Sequence, residues 1–137
     1  MTGVLLDSSI VIAAERRQLE LGAVTAGRLD LTYLSVITAT ELLHGVHRAD
    51  TARRQIARSA FVNAVLAALP VLELDLATAR VHARIWADLA ATGRLIGAHD
   101  LWIAATALTH SLTLMTSNTR ELSRVPGLAL EAVTLKS

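Results

Sequence analysis

At 137 residues, 53% of them hydrophobic, and with a formal net charge of +1, the chain has the length of one domain and the apolar content for a core, and it is too nearly neutral to grip nucleic acid by bulk charge. No apolar run reaches the roughly 18 residues of a membrane span. The N-terminus lacks the basic region of a signal peptide, and the absence of cysteine excludes disulfides and thiolate metal sites. The expectation is a cytoplasmic, soluble protein with no membrane contact, one domain over residues 1–137. Aromatics are only 3%, which argues against a base-stacking platform. The apolar content fits either an alanine- and leucine-rich core or a further buried interface.

In chain order, Gly3 to Leu6 reads as a buried strand ending in Asp7. Ser8 or Ser9 can cap a helix through about Arg17, and Leu19 to Arg28 reads as a second short helix. Leu31 to Leu34 is a second strand, and Val36 to Val46 a helix with apolar Ile37, Leu42, Leu43 and Val46. Asp50 is placed to cap the next helix, which Pro70 ends after Leu69. Val71 to Leu74 is a third strand. Asp75 caps a long helix from Leu76 to Thr92, with Val81, Ile85 and Leu89 forming a core stripe and Gly93 at its C-terminal end. A loop, Arg94 to Ala98, leads to a helix from His99 to Thr109. Leu112 to Met115 is a fourth strand, a polar turn runs from Thr116 to Arg120, and Leu128 to Leu135 is a last strand. Strands alternating with helices predict an α/β fold with a parallel sheet covered on both faces.

In such sheets the working crevice lies beyond the carboxyl ends of the strands. Asp7 ends the first strand. Glu41 lies in the helix after the second, Asp100 in the first turn of the helix before the fourth, and Thr116, Ser117, Asn118 and Glu121 follow the fourth. Each position also has a purely structural reading. Asp7 is a possible helix cap, Thr38-x-x-Glu41 has the spacing of a capping box, Asp100 suits a helix dipole, and Thr-Ser-Asn suits a turn. Their joint placement is what points to chemistry. Clustered carboxylates repel unless a cation neutralises them, and oxygen donors without cysteine suit Mg²⁺ or Mn²⁺. Such an ion binds a phosphate oxygen, activates water and stabilises a leaving oxygen.

Four stretches resemble the PIN-domain family, the bacterial VapC-type toxins in particular: Val4-Leu-Leu-Asp7-Ser-Ser; Ser35-x-x-Thr38-x-x-Glu41-Leu with Gly45; Gly97-x-x-Asp100-x-x-Ile103-Ala-Ala; and Leu114-Met-Thr116-Ser-Asn118-Thr-Arg-Glu121-Leu with Val125-Pro-Gly127-Leu. The resemblance implies a three-layer α/β/α fold around a mostly parallel sheet of four to five strands. It also implies metal-dependent endoribonuclease activity, a homodimer, and neutralisation by a small VapB-type antitoxin. Asp7, Glu41 and Asp100 match the family's three main acidic positions and are assigned to the metal. Many relatives carry an aspartate directly after the Asn of the last motif, where this chain has Thr119; Glu121 resembles the acid of a subgroup with an Asn-Thr-Arg-Glu turn. Ser8, Thr116 and Asn118 are assigned supporting roles, Asn118 as an orienting partner for Glu121, and Arg94 is assigned phosphate contact.

Arg48, Arg53, Arg54 and Arg58 form a basic cluster, read either as a solvated helix face or as a contact for RNA or an acidic partner. His99, beside Asp100, is a candidate for lining the site, while the histidines form no zinc pattern. No Gly-x-Ser-x-Gly elbow is present. A haloacid-dehalogenase phosphatase needs a second aspartate where Ser9 stands, and a receiver domain needs a lysine after a late strand, whereas the only lysine is Lys136. The alternative to a nuclease is a degenerate domain that binds RNA or a partner without catalysis, a reading to which Thr119 lends some support.

Overall fold

The three residues of the first strand, β1 (Val4–Leu6), are fully buried, and the rest of the chain is arranged about them. The computed structural model describes residues 2–135, so Lys136 lies outside the described residues. After β1 come α1 (Ser8–Glu15), a short α2 (Leu21–Val24), a 3₁₀ turn (Leu29–Leu31), β2 (Thr32–Ser35), α3 (Val36–His47), α4 (Ala52–Ala68) and β3 (Val71–Leu72). Then follow α5 (Leu76–Ala91), α6 (Ala98–Thr109), β4 (Thr113–Thr116), α7 (Thr119–Leu122) and β5 (Leu130–Ala132).

The five strands form one parallel sheet in the order β3-β2-β1-β4-β5. Alternation along β1 sends Leu5 to one face and Val4 and Leu6 to the other. Leu5 packs with Ile85 and Leu89 of α5 and Leu101, Ala104 and Ala105 of α6. Val4 and Leu6 pack with Ile10 and Val11 of α1, Leu42 of α3, and Val62 and Val65 of α4. Burial on both faces is why β1 is continuously apolar rather than alternating. Each of its leucines contributes about 2 kcal/mol of transfer free energy. The result is the three-layer α/β/α fold, with a sheet that is wholly parallel and has five strands.

Several local expectations are corrected. Thr51, not Asp50, caps α4 by accepting from the Arg54 N–H, while Asp50 forms an exposed ion pair with the Arg54 side chain. Thr38 and Glu41 form no capping box: the cap of α3 is Ser35, which accepts from the Ile37 N–H, and Thr38 is one turn inside the helix. Asp7, rather than Ser8 or Ser9, occupies the cap position of α1. The last strand is three residues long rather than eight, because β5 pairs only along Leu114–Thr116. Asp75 caps α5 as the sequence predicts, and Gly93 takes a positive φ of 67° just beyond it.

Candidate active site

The chain leaves β1 toward β2 and β3 on one side, then returns to place β4 and β5 on the other. The crevice of a doubly wound sheet opens at this reversal, between the carboxyl ends of β1 and β4. Asp7 and Thr116 stand on its two sides.

Asp7 is held rigidly. Its N–H donates to the Met115 carbonyl at 3.0 Å, tying the end of β1 to β4. Its carboxylate accepts from the Ser8 N–H at 2.9 Å and from the Ser9 and Thr116 hydroxyls at 2.8 Å each. Those hydroxyls are themselves fixed by the turn after β4: the Ser117 N–H donates to Ser9 Oγ at 3.2 Å, and the Asn118 N–H to Thr116 Oγ1 at 3.0 Å. Only 7% of Asp7 is exposed. The donors substitute for the water it has lost, as a buried carboxylate requires.

Glu41 lies in the second turn of α3, whose Thr38 hydroxyl donates to the Leu6 carbonyl at 3.5 Å and so pins the helix over the end of β1. Its Oε1 is buried and has no hydrogen-bond donor. Its Oε2 is 3.8 Å from Nδ1 of His99. Burial and then the charge of Asp7 push the Glu41 carboxyl above its ordinary range, with His99 and Ser8 offsetting part of the effect.

Asp100 sits in the first turn of α6, and Glu121 in α7. Glu121 Oε2 accepts from the Gly97 N–H at 3.2 Å. A Cβ on Gly97 would lie 3.8 Å from that same oxygen and 4.0 Å from Asp100 Oδ2, so the two carboxylates converge over this glycine. Burial, followed by the charges of Asp7, Glu121 and Glu41, raises the Asp100 carboxyl to about 6. The four acids are therefore one electrostatic unit drawn from four chain segments.

Among the described residues no three carboxylates or imidazoles are spaced to enclose one ion as they stand. The donor chemistry nevertheless fits a hard divalent cation: oxygen donors only, one of them buried without a partner, and two carboxyls raised by burial first and by neighbouring carboxylates second.

The other expectations divide. His99 does face the site, through Glu41. Ser8 is buried beside Asp7 and gives it a backbone N–H, whereas Ser9 supplies the hydroxyl. The helix-start pattern does not reveal this role of Ser9; its position two residues beyond a strand-end aspartate is the available signal. Asn118 acts through its N–H on Thr116, and Gly97, rather than the Asn118 side chain, holds Glu121. Arg94 is exposed, and its side chain makes no hydrogen bond or ion pair to these carboxylates.

A parallel α/β sheet that gathers four carboxylates at its carboxyl edge defines a class of domains suited to cation-assisted phosphate chemistry. The family model for the PIN domain matches residues 4–128, and the chain belongs to that family. It is similar to Ribonuclease VapC1 of Rickettsia felis, with 36% identity over 98% of each chain, and to Ribonuclease VapC of Rickettsia bellii, with 34% identity over 98% of each. Among solved structures it resembles DNA-bound VapBC from Salmonella typhimurium, with a TM-score of 0.86 and 28% identity over 96% of this chain and 98% of that one.

Proposed function

We propose that the chain is a PIN-domain endoribonuclease, the toxin component of a type II toxin–antitoxin pair, which hydrolyses RNA phosphodiester bonds with the help of Mg²⁺ or Mn²⁺. The observation that carries this reading is the gathering of Asp7, Glu41, Asp100 and Glu121 at one sheet edge, with Glu41 Oε1 buried and without a donor, an arrangement that a bound cation would relieve. Asp7, Glu41 and Asp100 would hold the ion, with Glu121 completing the acidic rim. When bound, a divalent cation polarises the phosphate and lowers the pKa of water.

The protein's own groups supply the rest. Ser9 and Thr116 fix the rotamer of Asp7, so its carboxylate needs no reorganisation when substrate arrives. Gly97 anchors Glu121 beside Asp100. The carboxylates orient the attacking water toward phosphorus, and the products carry a 5′-phosphate and a 3′-hydroxyl. Thr119 begins α7, and Glu121 two residues later delivers the fourth carboxylate, which favours the catalytic reading over a binding-only domain.

A VapB-type antitoxin covering the groove, a homodimer and a cytoplasmic location belong to the same reading. The VapBC neighbour supports the antitoxin. Among the described residues no helix is long and apolar enough to cross a membrane.

Asp7→Asn tests the assignment, because asparagine remains a good helix cap while losing the charge. Cleavage of RNA in Mg²⁺ or Mn²⁺ is expected to fall by at least about 100-fold while the variant still folds, as circular dichroism checks. Equal cleavage by the wild type and the variant would overturn it.

A further inference from the structure

Beside the acidic crevice, α1, α3 and α4 form a narrow cleft of about 60 Å³ whose arginines the cleavage chemistry leaves unused. Glu41 stands at one end of it. From there Glu41, Gly45 and Arg48 follow one face of α3 at spacings of four and three residues. Arg16 and Arg58 complete the basic lining.

Two arginines converge over Gly45. A Cβ at that position would lie 3.9 Å from Arg48 Nη2 and 3.9 Å from Arg58 Cδ. Arg58 is fixed in place: its Nη1 donates to the Gly45 carbonyl at 3.1 Å, and its Nε lies 3.5 Å from Glu15 Oε1. Glu15 neutralises Arg58, whereas Arg48 and Arg16 have no carboxylate partner among the described residues. The cleft therefore holds two unneutralised guanidinium groups and a third pre-positioned one, in a space the size of a few water molecules. Guanidinium groups gathered in this way suit a tetrahedral anion.

We propose that this cleft is a phosphate subsite, with Arg48 and Arg16 holding a backbone phosphate of the RNA next to the one positioned over the carboxylates; the proposal rests on the ribonuclease reading above. Its role is geometric. An acidic crevice repels a polyanion, and a cationic clamp one or two helical turns along α3 holds the strand so that a single phosphodiester lies over Asp7 and Asp100. Arginine is the right residue for this, since its planar fork bonds two phosphate oxygens at once. Contacts of this kind position the strand without reading its sequence.

The test uses the full chain and a labelled single-stranded RNA that the wild type cleaves. Arg48→Ala is expected to raise KM about tenfold, the loss falling on KM rather than kcat. In an Asp7→Asn background the same substitution is expected to weaken RNA binding by a similar factor and to flatten the plot of log affinity against log salt by about 0.7, one phosphate contact to a single strand. Arg48→Lys should recover part of the affinity, and Arg53→Ala, outside the cleft, should leave the salt slope unchanged. Arg48 is exposed, so folding is not at stake, and Arg16→Ala provides an independent second reading. Wild-type KM and salt slope in both Arg48→Ala and Arg16→Ala would overturn the proposal. So would variants that lose only affinity for a VapB-type protein, which would make the cleft a protein contact. Absence of RNA cleavage by the wild type would instead count against the ribonuclease reading, and the salt-slope comparison would still decide whether the cleft binds phosphate.

Discussion

Asp7 and Asp100 face the same crevice, yet the protein treats the two carboxylates in opposite ways. Asp7 receives three donors from its own helix and from β4, so its charge is hydrogen-bonded before any ligand arrives. Asp100 is partly buried and lies near three other acids, so burial first and their charges second oppose its ionisation. One aspartate is part of the architecture that joins β1 to β4, and the other is a strained group held in place by the fold around it. The contrast teaches that equivalent motif positions need not cost the same. Strain at the rim of a site is tolerated when the floor beneath it is secure.

Substitution at the two sites should therefore move stability in opposite directions. Asp7→Ala removes the helix cap and takes from the Ser8 N–H and from the Ser9 and Thr116 hydroxyls their shortest acceptor. A loss of about 2–3 kcal/mol is expected in denaturant unfolding. Asp100→Asn removes a repelled charge, and in the presence of a chelator it should stabilise the chain by roughly 1–3 kcal/mol at neutral pH, a range widened because solvent screens part of the effect. If both variants are destabilised equally, the contrast fails.

The same contrast explains how much of the site was legible in the sequence. Asp7, Glu41, Asp100 and Glu121 were visible because a strand–helix alternation brings strand ends to one edge. Their partners were not, because a hydroxyl such as that of Ser9 looks like any helix-start serine until the turn after β4 is placed against it. The capping-box spacing of Thr38 and Glu41, an alternative reading of Glu41, stood open in the sequence for a related reason. Ser35, one turn earlier, is the true cap, and spacing alone does not locate the helix start. Strand order was also beyond reach, since the choice of neighbours for β1 depends on which helices cover which face. Asp75 and Gly93 were read correctly because caps and positive-φ glycines are local features.

A pH series sharpens the comparison further. Asp100 has a folded-state value of about 6 against an ordinary value of 3.8. A raised folded value means that the folded state binds the proton more tightly. The group's favourable contribution is thus complete below about 3.8 and is lost as pH rises through 6. In a chelator, wild-type stability should carry this falling component between those values, and Asp100→Asn should lack it. A divalent cation competes with the proton for the carboxylate, so Mn²⁺ should raise the melting temperature more at pH 7 than at pH 5. Identical pH profiles for wild type and variant would show that Asp100 carries no such strain.

The smallest expected effect lies at Gly45, on the same helix as Glu41 but facing the arginine cleft. A glycine within a helix costs about 0.5–1 kcal/mol relative to alanine. An added Cβ here would meet the Arg48 and Arg58 side chains at 3.9 Å, ordinary contact distance. Gly45→Ala should therefore stabilise the chain by about 0.5 kcal/mol, measured as a shift in the denaturation midpoint without a change in slope. Gly45→Leu would fill the floor of the cleft and displace the arginine side chains. If the cleft holds RNA phosphate, Gly45→Leu should raise KM while Gly45→Ala barely does. If the leucine variant folds and shows a wild-type KM, the floor of the cleft is not in contact with substrate, and the acidic crevice alone positions the strand.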